Sequence, residues 1–202
     1  MTHVIVYFGV EARGEPIRIA LHAAGVEFEN RVLTFDEFKA DKEEKYPTGL
    51  PVLILPSGDS VSQSVAILRY VGKLGDLYPT DPVEALKVDE VMDFVQDIYT
   101  KCPHDADEEK KKSLREVYAA GQMKVFFNAL DCRFAANAGP FFSGDKLSIA
   151  DLFTYYMFKM IRVGMFDYVD SSYVDQWPNL AGFEKAVAEH PVVMAWKAKA
   201  ST

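Results

Sequence analysis

Cysteine is nearly absent from this chain: Cys102 and Cys132 are the only two in 202 residues, too few and too far apart for a disulfide framework or a Cys-x-x-Cys redox pair. Both are expected to be reduced thiols packed among apolar neighbours. No apolar run is long enough to span a bilayer, and the first residues enter a strand-like pattern without the apolar segment of a signal peptide, so the expected setting is cytoplasmic. Histidine is scarce too. His3, His22, His104 and His190 show no ligand spacing, and the nearest grouping, His104-Asp105-Ala106-Asp107, lies in a polar loop, so no metal site is expected. A phosphate-cradling glycine motif, a Gly-x-Ser-x-Gly elbow and a dinucleotide fingerprint are all missing, which leaves no support for nucleotide chemistry. Internal repeats and low-complexity segments are missing as well. Basic residues are outnumbered, 22 against 30 acidic ones for a formal charge of −8. That field repels polyanions and argues against nucleic acid or anionic membranes as partners, although a small anion could still bind in a locally basic pocket.

What the chain does have is apolar substance: 49% hydrophobic and 13% aromatic residues over 202 positions, enough to bury a core and divide into two small domains. Up to about Gly75 the hydrophobic period alternates between two and about 3.6, in the order strand, helix, strand, helix, strand, turn, strand, helix. Residues 1–75 therefore read as an α/β domain. Residues 76–82, with two prolines and two aspartates, read as a linker, and residues 83–202 have helical period throughout, predicting an all-α domain.

In the helical part, Val88, Val91, Met92, Val95, Ile98, Tyr99 and Cys102 recur at three- and four-residue steps as one apolar stripe. Asp89, Asp93 and Asp97 form a separate acidic stripe, whose simplest account is a solvated face, and residues 108–112 read as exposed charge. Ser148 stands three residues before Asp151, with Leu147 and Leu152 at the positions of a hydrophobic staple, predicting a capped helix to about Val163. Such a cap contributes roughly 1 kcal/mol, so Ser148→Ala should mainly damage folding. Residues 178–189 and 192–200 read as two closing helices.

Three junctions in the first domain carry candidate chemistry. In Tyr7-Phe8-Gly9-Val10-Glu11-Ala12-Arg13-Gly14-Glu15-Pro16-Ile17-Arg18 an apolar strand runs into a helix, with a hydroxyl and two arginines at the turn, and Pro16 suits the first helical turn. Leu50-Pro51 precedes a strand, where proline is tolerated only at the first residue or the edge, and a cis bond there would present backbone groups to a ligand. Gln63-Ser64 opens a helix over residues 65–74, with Ser64 as its cap, and a helix N-terminus with a hydroxyl can hold a carboxylate. Taken singly, Tyr7 is a core residue and Ser64 a cap.

Taken together, Tyr7, Arg13, Leu50-Pro51, Gln63-Ser64 and a following all-α domain with Ser148-Ile-Ala-Asp151 resemble the cytosolic glutathione transferases over nearly the whole chain. The likeness is strongest to the sigma class, which includes glutathione-dependent prostaglandin D synthases, because Gln63-Ser64, Asp97 and Cys102-Pro103 fall where that class has their counterparts. The resemblance implies a thioredoxin-like first domain, glutathione as co-substrate, no metal, and a homodimer. Tyr7 would donate its hydroxyl to the glutathione sulfur and favour the thiolate, with Arg13 supplying positive field. Gln63 and Ser64 would hold the γ-glutamyl end, Leu50 would pair its backbone with the cysteinyl part, and Lys42 would meet the glycyl carboxylate. Asp97 would reach the γ-glutamyl ammonium in the other subunit.

Two positions depart from the family's pattern. Gly49, ahead of Pro51, stands where a glutamine or lysine is usual, and Phe38 replaces a common tryptophan, keeping an apolar wall without the indole N–H. Phe8, Tyr99, His104, Phe153 and Met157 would line the pocket for a small hydrophobic electrophile. His104 stands where the prostaglandin-forming members have an aromatic wall, so that narrow activity is not expected to transfer. The implied function is conjugation of glutathione to such electrophiles, a role in detoxification, with reduction of organic hydroperoxides as a further possibility. Two alternatives stay open: a non-catalytic, crystallin-like structural or binding relative, and a glutathione-dependent isomerase.

Overall fold

The six residues His3–Phe8 form strand β1 of the computed structural model, which describes residues 2–200. Four of the six, Val4 to Tyr7, are buried, as a strand covered on both faces requires. β1 pairs in parallel with β2 (Phe28–Leu33) and antiparallel with β3 (Val52–Ile54), which pairs antiparallel with β4 (Ser60–Ser62), so the sheet order is β2-β1-β3-β4. Helix α1 (Glu15–Ala23) has Pro16 in its first turn and buries Ile17, Ile19, Ala20 and Leu21. Helix α2 (Phe35–Asp41) starts from a capping box, Thr34 N–H donating to Glu37 Oε2 at 2.7 Å and Glu37 N–H to Thr34 Oγ1 at 3.2 Å. Helix α3 (Ser64–Leu74) packs on α1 through Val65, Ile67, Leu68 and Val71. The expected α/β, thioredoxin-like element order is present.

The helical region begins with α4 (Pro82–Lys101), capped by Asp81, whose carboxylate accepts from the Val83 and Glu84 amides at 2.9 and 3.0 Å. The end of the expected 76–82 linker is thus already a helix cap and first turn. The apolar stripe is buried at Val88, Val91, Met92, Val95 and Ile98. Helix α5 (Glu108–Tyr118) passes through a π-turn over residues 119–123 into α6 (Lys124–Ala135). Helix α7 (Ile149–Arg162) is buried along residues 149–158 and packs against α4 and α8 (Ala181–Ala188). Its start is closed by Asp151, which accepts from Ser148 N–H at 2.7 Å, Ser148 Oγ–H at 2.6 Å and Phe142 N–H at 2.8 Å.

Some expectations need correction. The chain divides into a unit of residues up to Pro79 joined by those from Pro191 on, and a unit of Thr80–His190. Helix α9 (Pro191–Ala200), which the sequence places at the end of the helical domain, groups in this division with the first unit. It returns to the first unit because Val193 and Trp196 are buried against α1 and β2: Trp196 stacks on Phe28 at 5.9 Å and donates its indole N–H to Glu15 Oε1 at 2.5 Å. Within the expected solvated run 108–112, Lys111 is only 8% exposed, held between Glu108 and Asp167 at 3.0 Å each. Cys102 is half-buried, its thiol pushed up chiefly by that burial, whereas Cys132 is exposed instead of packed.

Candidate functional site

Tyr7 sits at the end of β1, where the chain leaves the sheet through the short helical turn Ala12–Gly14 into α1. Its side chain is buried, at 6% exposure. Gly14 is what lets the turn close over the ring: a Cβ at that position would lie 2.3 Å from Tyr7 Cδ1. The Arg13 backbone N–H is hydrogen-bonded to the phenol oxygen, and the Arg18 guanidinium lies 5.7 Å from the ring centroid. Burial raises the phenol above the usual tyrosine range, and the Arg13 amide and the Arg13 and Arg18 charges only partly oppose it. Tyr7 is thus a neutral hydroxyl at physiological pH, able to donate a hydrogen bond to an anion, in a positive local field.

Beside Tyr7, Phe8 stacks on Phe35 at 4.6 Å and meets the edge of Phe38 at 5.3 Å, and Phe38 stacks in turn on Tyr46 at 6.3 Å. Phe38 therefore is part of an apolar wall, backed by Val4, Val6 and Val52. Lys42 lies exposed at the end of α2. Gly49 has a φ of 86°, a conformation that favours glycine, and donates its N–H to the Tyr46 carbonyl at 2.9 Å. The Leu50-Pro51 bond is cis.

At the third junction the structure reassigns the roles. The helix starts at Ser64 itself, 5% exposed and already helical, and the residue before it, Gln63, is the N-terminal flank with φ 75° and ψ 102°. No side chain caps this first turn. A glutamine in that backbone region costs about 1 to 3 kcal/mol, and such strain concentrates where a ligand is bound.

The other expected residues belong to the second unit. Tyr99 on α4 packs against Phe153 at 5.8 Å and also against Phe166 at 5.7 Å, with Met157 fully buried one turn beyond Phe153. His104 is exposed in the loop after α4, and Asp97 pairs with Lys101 at 2.7 Å. The structure thus brings Tyr99 and Phe153 together, with Phe166 as an unanticipated member. Also unanticipated are Glu15 and Trp196: Glu15 pairs with the Arg18 guanidinium and accepts the Trp196 indole N–H, which makes a buried array. The one signal that pointed there is the spacing of Glu15 and Arg18, three apart on an otherwise apolar helix.

Comparison with known proteins bears directly on this arrangement. Residues 2–73 match the family model of the glutathione S-transferase N-terminal domain, and residues 92–200 match that of the glutathione S-transferase C-terminal domain. The chain is 28% identical over 155 residues to the class-mu 28 kDa glutathione S-transferase isozyme of Schistosoma japonicum, covering 73% of this chain and 75% of that protein. It is 27% identical over 195 residues to glutathione S-transferase 2 of Onchocerca volvulus, covering 95% and 89%. Among solved structures, prostaglandin synthase D of Nilaparvata lugens superposes with a TM-score of 0.85 at 27% identity, over 98% of each chain. With both family models matched along the chain and a buried, positively surrounded tyrosine at the first strand's end, the protein belongs to the glutathione S-transferase family and is a transferase enzyme.

Proposed function

We propose that Tyr7 activates the thiol of glutathione as the thiolate, which then adds to a small hydrophobic electrophile. The observation that carries this reading is the buried, neutral Tyr7 hydroxyl, met by the Arg13 amide in the field of Arg13 and Arg18. Lowering a thiol pKa by about two units amounts to roughly 2.7 kcal/mol, a modest demand on one hydrogen bond plus that field. We assign the γ-glutamyl end of glutathione to Gln63 and Ser64, the cysteinyl backbone to Leu50 beside Pro51, and the glycyl carboxylate to Lys42. Phe38 forms an apolar wall and Gly49 contributes backbone only. The uncapped first turn of α3 and the strained Gln63 support the γ-glutamyl assignment. Tyr99, Phe153 and Met157 are the assigned electrophile contacts, with Phe8 and His104 completing the set.

The test is glutathione conjugation to a chlorinated nitrobenzene, comparing the natural protein with Tyr7→Phe. A loss of about tenfold or more, roughly 1.4 kcal/mol, is expected. Equal rates would refute the role of Tyr7. A second reading, a glutathione-dependent isomerase of the sigma class, is favoured by the likeness to the Nilaparvata lugens prostaglandin synthase D, and profiling conjugation, isomerase and hydroperoxide substrates separates the activities. We further propose a homodimer in which Asp97 serves the partner's glutathione; a light-scattering mass of one 22.7 kDa chain would remove that role. The cytosol, where thiols are kept reduced, is the setting this chemistry calls for.

A further inference from the structure

Beneath Tyr7 lies a set of buried polar contacts. Arg18, 4% exposed, donates from Nε to Asn30 Oδ1 at 2.9 Å, from Nη1 to the Val10 carbonyl at 3.2 Å and Glu15 Oε2 at 2.8 Å, and from Nη2 to the Phe8 carbonyl at 3.0 Å. Two of these acceptors, Phe8 and Val10, are backbone groups immediately after Tyr7. The same guanidinium lies against the Tyr7 ring. Its counter-ion Glu15, 8% exposed, turns its other oxygen to the indole N–H of Trp196, 181 residues away. A buried ion pair contributes little to stability on its own, because desolvation offsets the attraction. This one is aimed at the hydroxyl-bearing ring.

We propose that Trp196 on the last helix is a positioning residue for the transferase reaction, acting through Glu15 and Arg18 on the catalytic Tyr7. The inference rests on the reading of Tyr7 as the group that stabilises the thiolate. Arg18 and Glu15 nearly cancel as a pair. By donating to Glu15, the indole draws negative charge away from the oxygen facing Arg18 and leaves the guanidinium more positive toward Tyr7. Arg18 at the same time pins the chain just beyond Tyr7, so the hydroxyl is held in place. Among the described residues, the charged or titratable groups around the array include Arg13 at Tyr7, His22 against the Trp196 ring at 5.7 Å, and Glu27, Glu29 and Lys199 on the rim of the adjoining cleft of about 690 Å³. The three rim groups are exposed and therefore screened.

The array predicts shifts of opposite sign in two variants. Glu15→Gln removes the negative charge and keeps the shape, so the thiol pKa of bound glutathione, read from thiolate ultraviolet absorbance and from the pH profile of kcat/KM, should fall by about half a unit. Trp196→Phe removes the indole donor and keeps an aromatic ring, so the same pKa should rise by a similar amount, about half a unit. Circular dichroism and retention on immobilised glutathione establish that each variant is folded; if one is not, the sign of the other decides. Shifts of the same sign, or none beyond about 0.2 unit against the half unit expected, would overturn the inference and leave a structural contact only. Tyr7→Phe separates the two levels. If it raises the thiol pKa while Glu15→Gln and Trp196→Phe do nothing, only the array fails; if it too does nothing, the role of Tyr7 and the array fail together.

Discussion

Asp151 makes the stability of the helical unit depend on pH in the direction opposite to most carboxylates. It is 0% exposed and accepts three hydrogen bonds, from Phe142 N–H, Ser148 N–H and Ser148 Oγ–H, all of which favour the charged form. Burial outweighs them and lifts the carboxyl to about 6. An unfolded aspartate titrates near 3.9, so the rise is about two units, or roughly 3 kcal/mol. Because the folded state holds the proton more tightly, this contribution is complete below about pH 4 and is lost as pH rises through about 6. Other groups move the opposite way, such as Glu37, Glu108 and Asp170, whose values are lowered by their hydrogen bonds. Asp151→Asn subtracts them, since it changes only the buried group. Urea unfolding followed by circular dichroism should show the stability of the natural protein relative to Asp151→Asn falling by about 2 kcal/mol between about pH 4 and 7, the larger part of that total. A difference that stays flat, or grows with pH, would refute the reasoning and mean that the donors outweigh burial. Asp151→Ala at neutral pH should cost about 3 to 5 kcal/mol, because it leaves buried donors at Phe142 and Ser148 unpaired.

Gly14→Ala places a methyl group 2.3 Å from Tyr7 Cδ1, so the ring or the turn must move; kcat/KM for glutathione conjugation should fall by about tenfold or more in a protein that still folds by circular dichroism. Gln63→Gly relieves a positive φ of 75°, and thermal unfolding should show a protein more stable by about 1 kcal/mol. Its glutathione affinity, measured by calorimetry, should nevertheless be weaker, since the side chain assigned to the γ-glutamyl end is gone.

Features written in local periodicity were legible in the sequence. β1 is an unbroken apolar run because both faces are covered, the α4 stripe repeats with the helical turn, and Ser148 with Asp151 is a capping pair whose spacing is its signature. Leu50-Pro51 was legible because few residues other than proline alter a strand entry in that way. What could not be read depended on partners distant in the chain. Nothing in the residues around Glu15 announces Trp196, and Lys111 looks like any lysine in a charged run until Asp167 is seen beside it. Gln63 is legible as the residue that opens the third helix, but its main-chain conformation is not, because a glutamine does not signal a positive φ as glycine would. Its neighbour Ser64 has the residue type of a cap, a role that its helical backbone excludes.

The return of α9 to the first unit inverts the order in which the protein can be completed during synthesis. Residues 80–190 form a continuous unit and can close as soon as they have left the ribosome, whereas the unit begun first must wait for residues 191–200. Until then Glu15 lacks its indole partner and the surface of α1 that receives Val193 and Trp196 stays wet. A chain released after residue 190 would hold a finished helical unit and an unfinished first unit, so the unit that carries Tyr7 is completed only once α9 has been made.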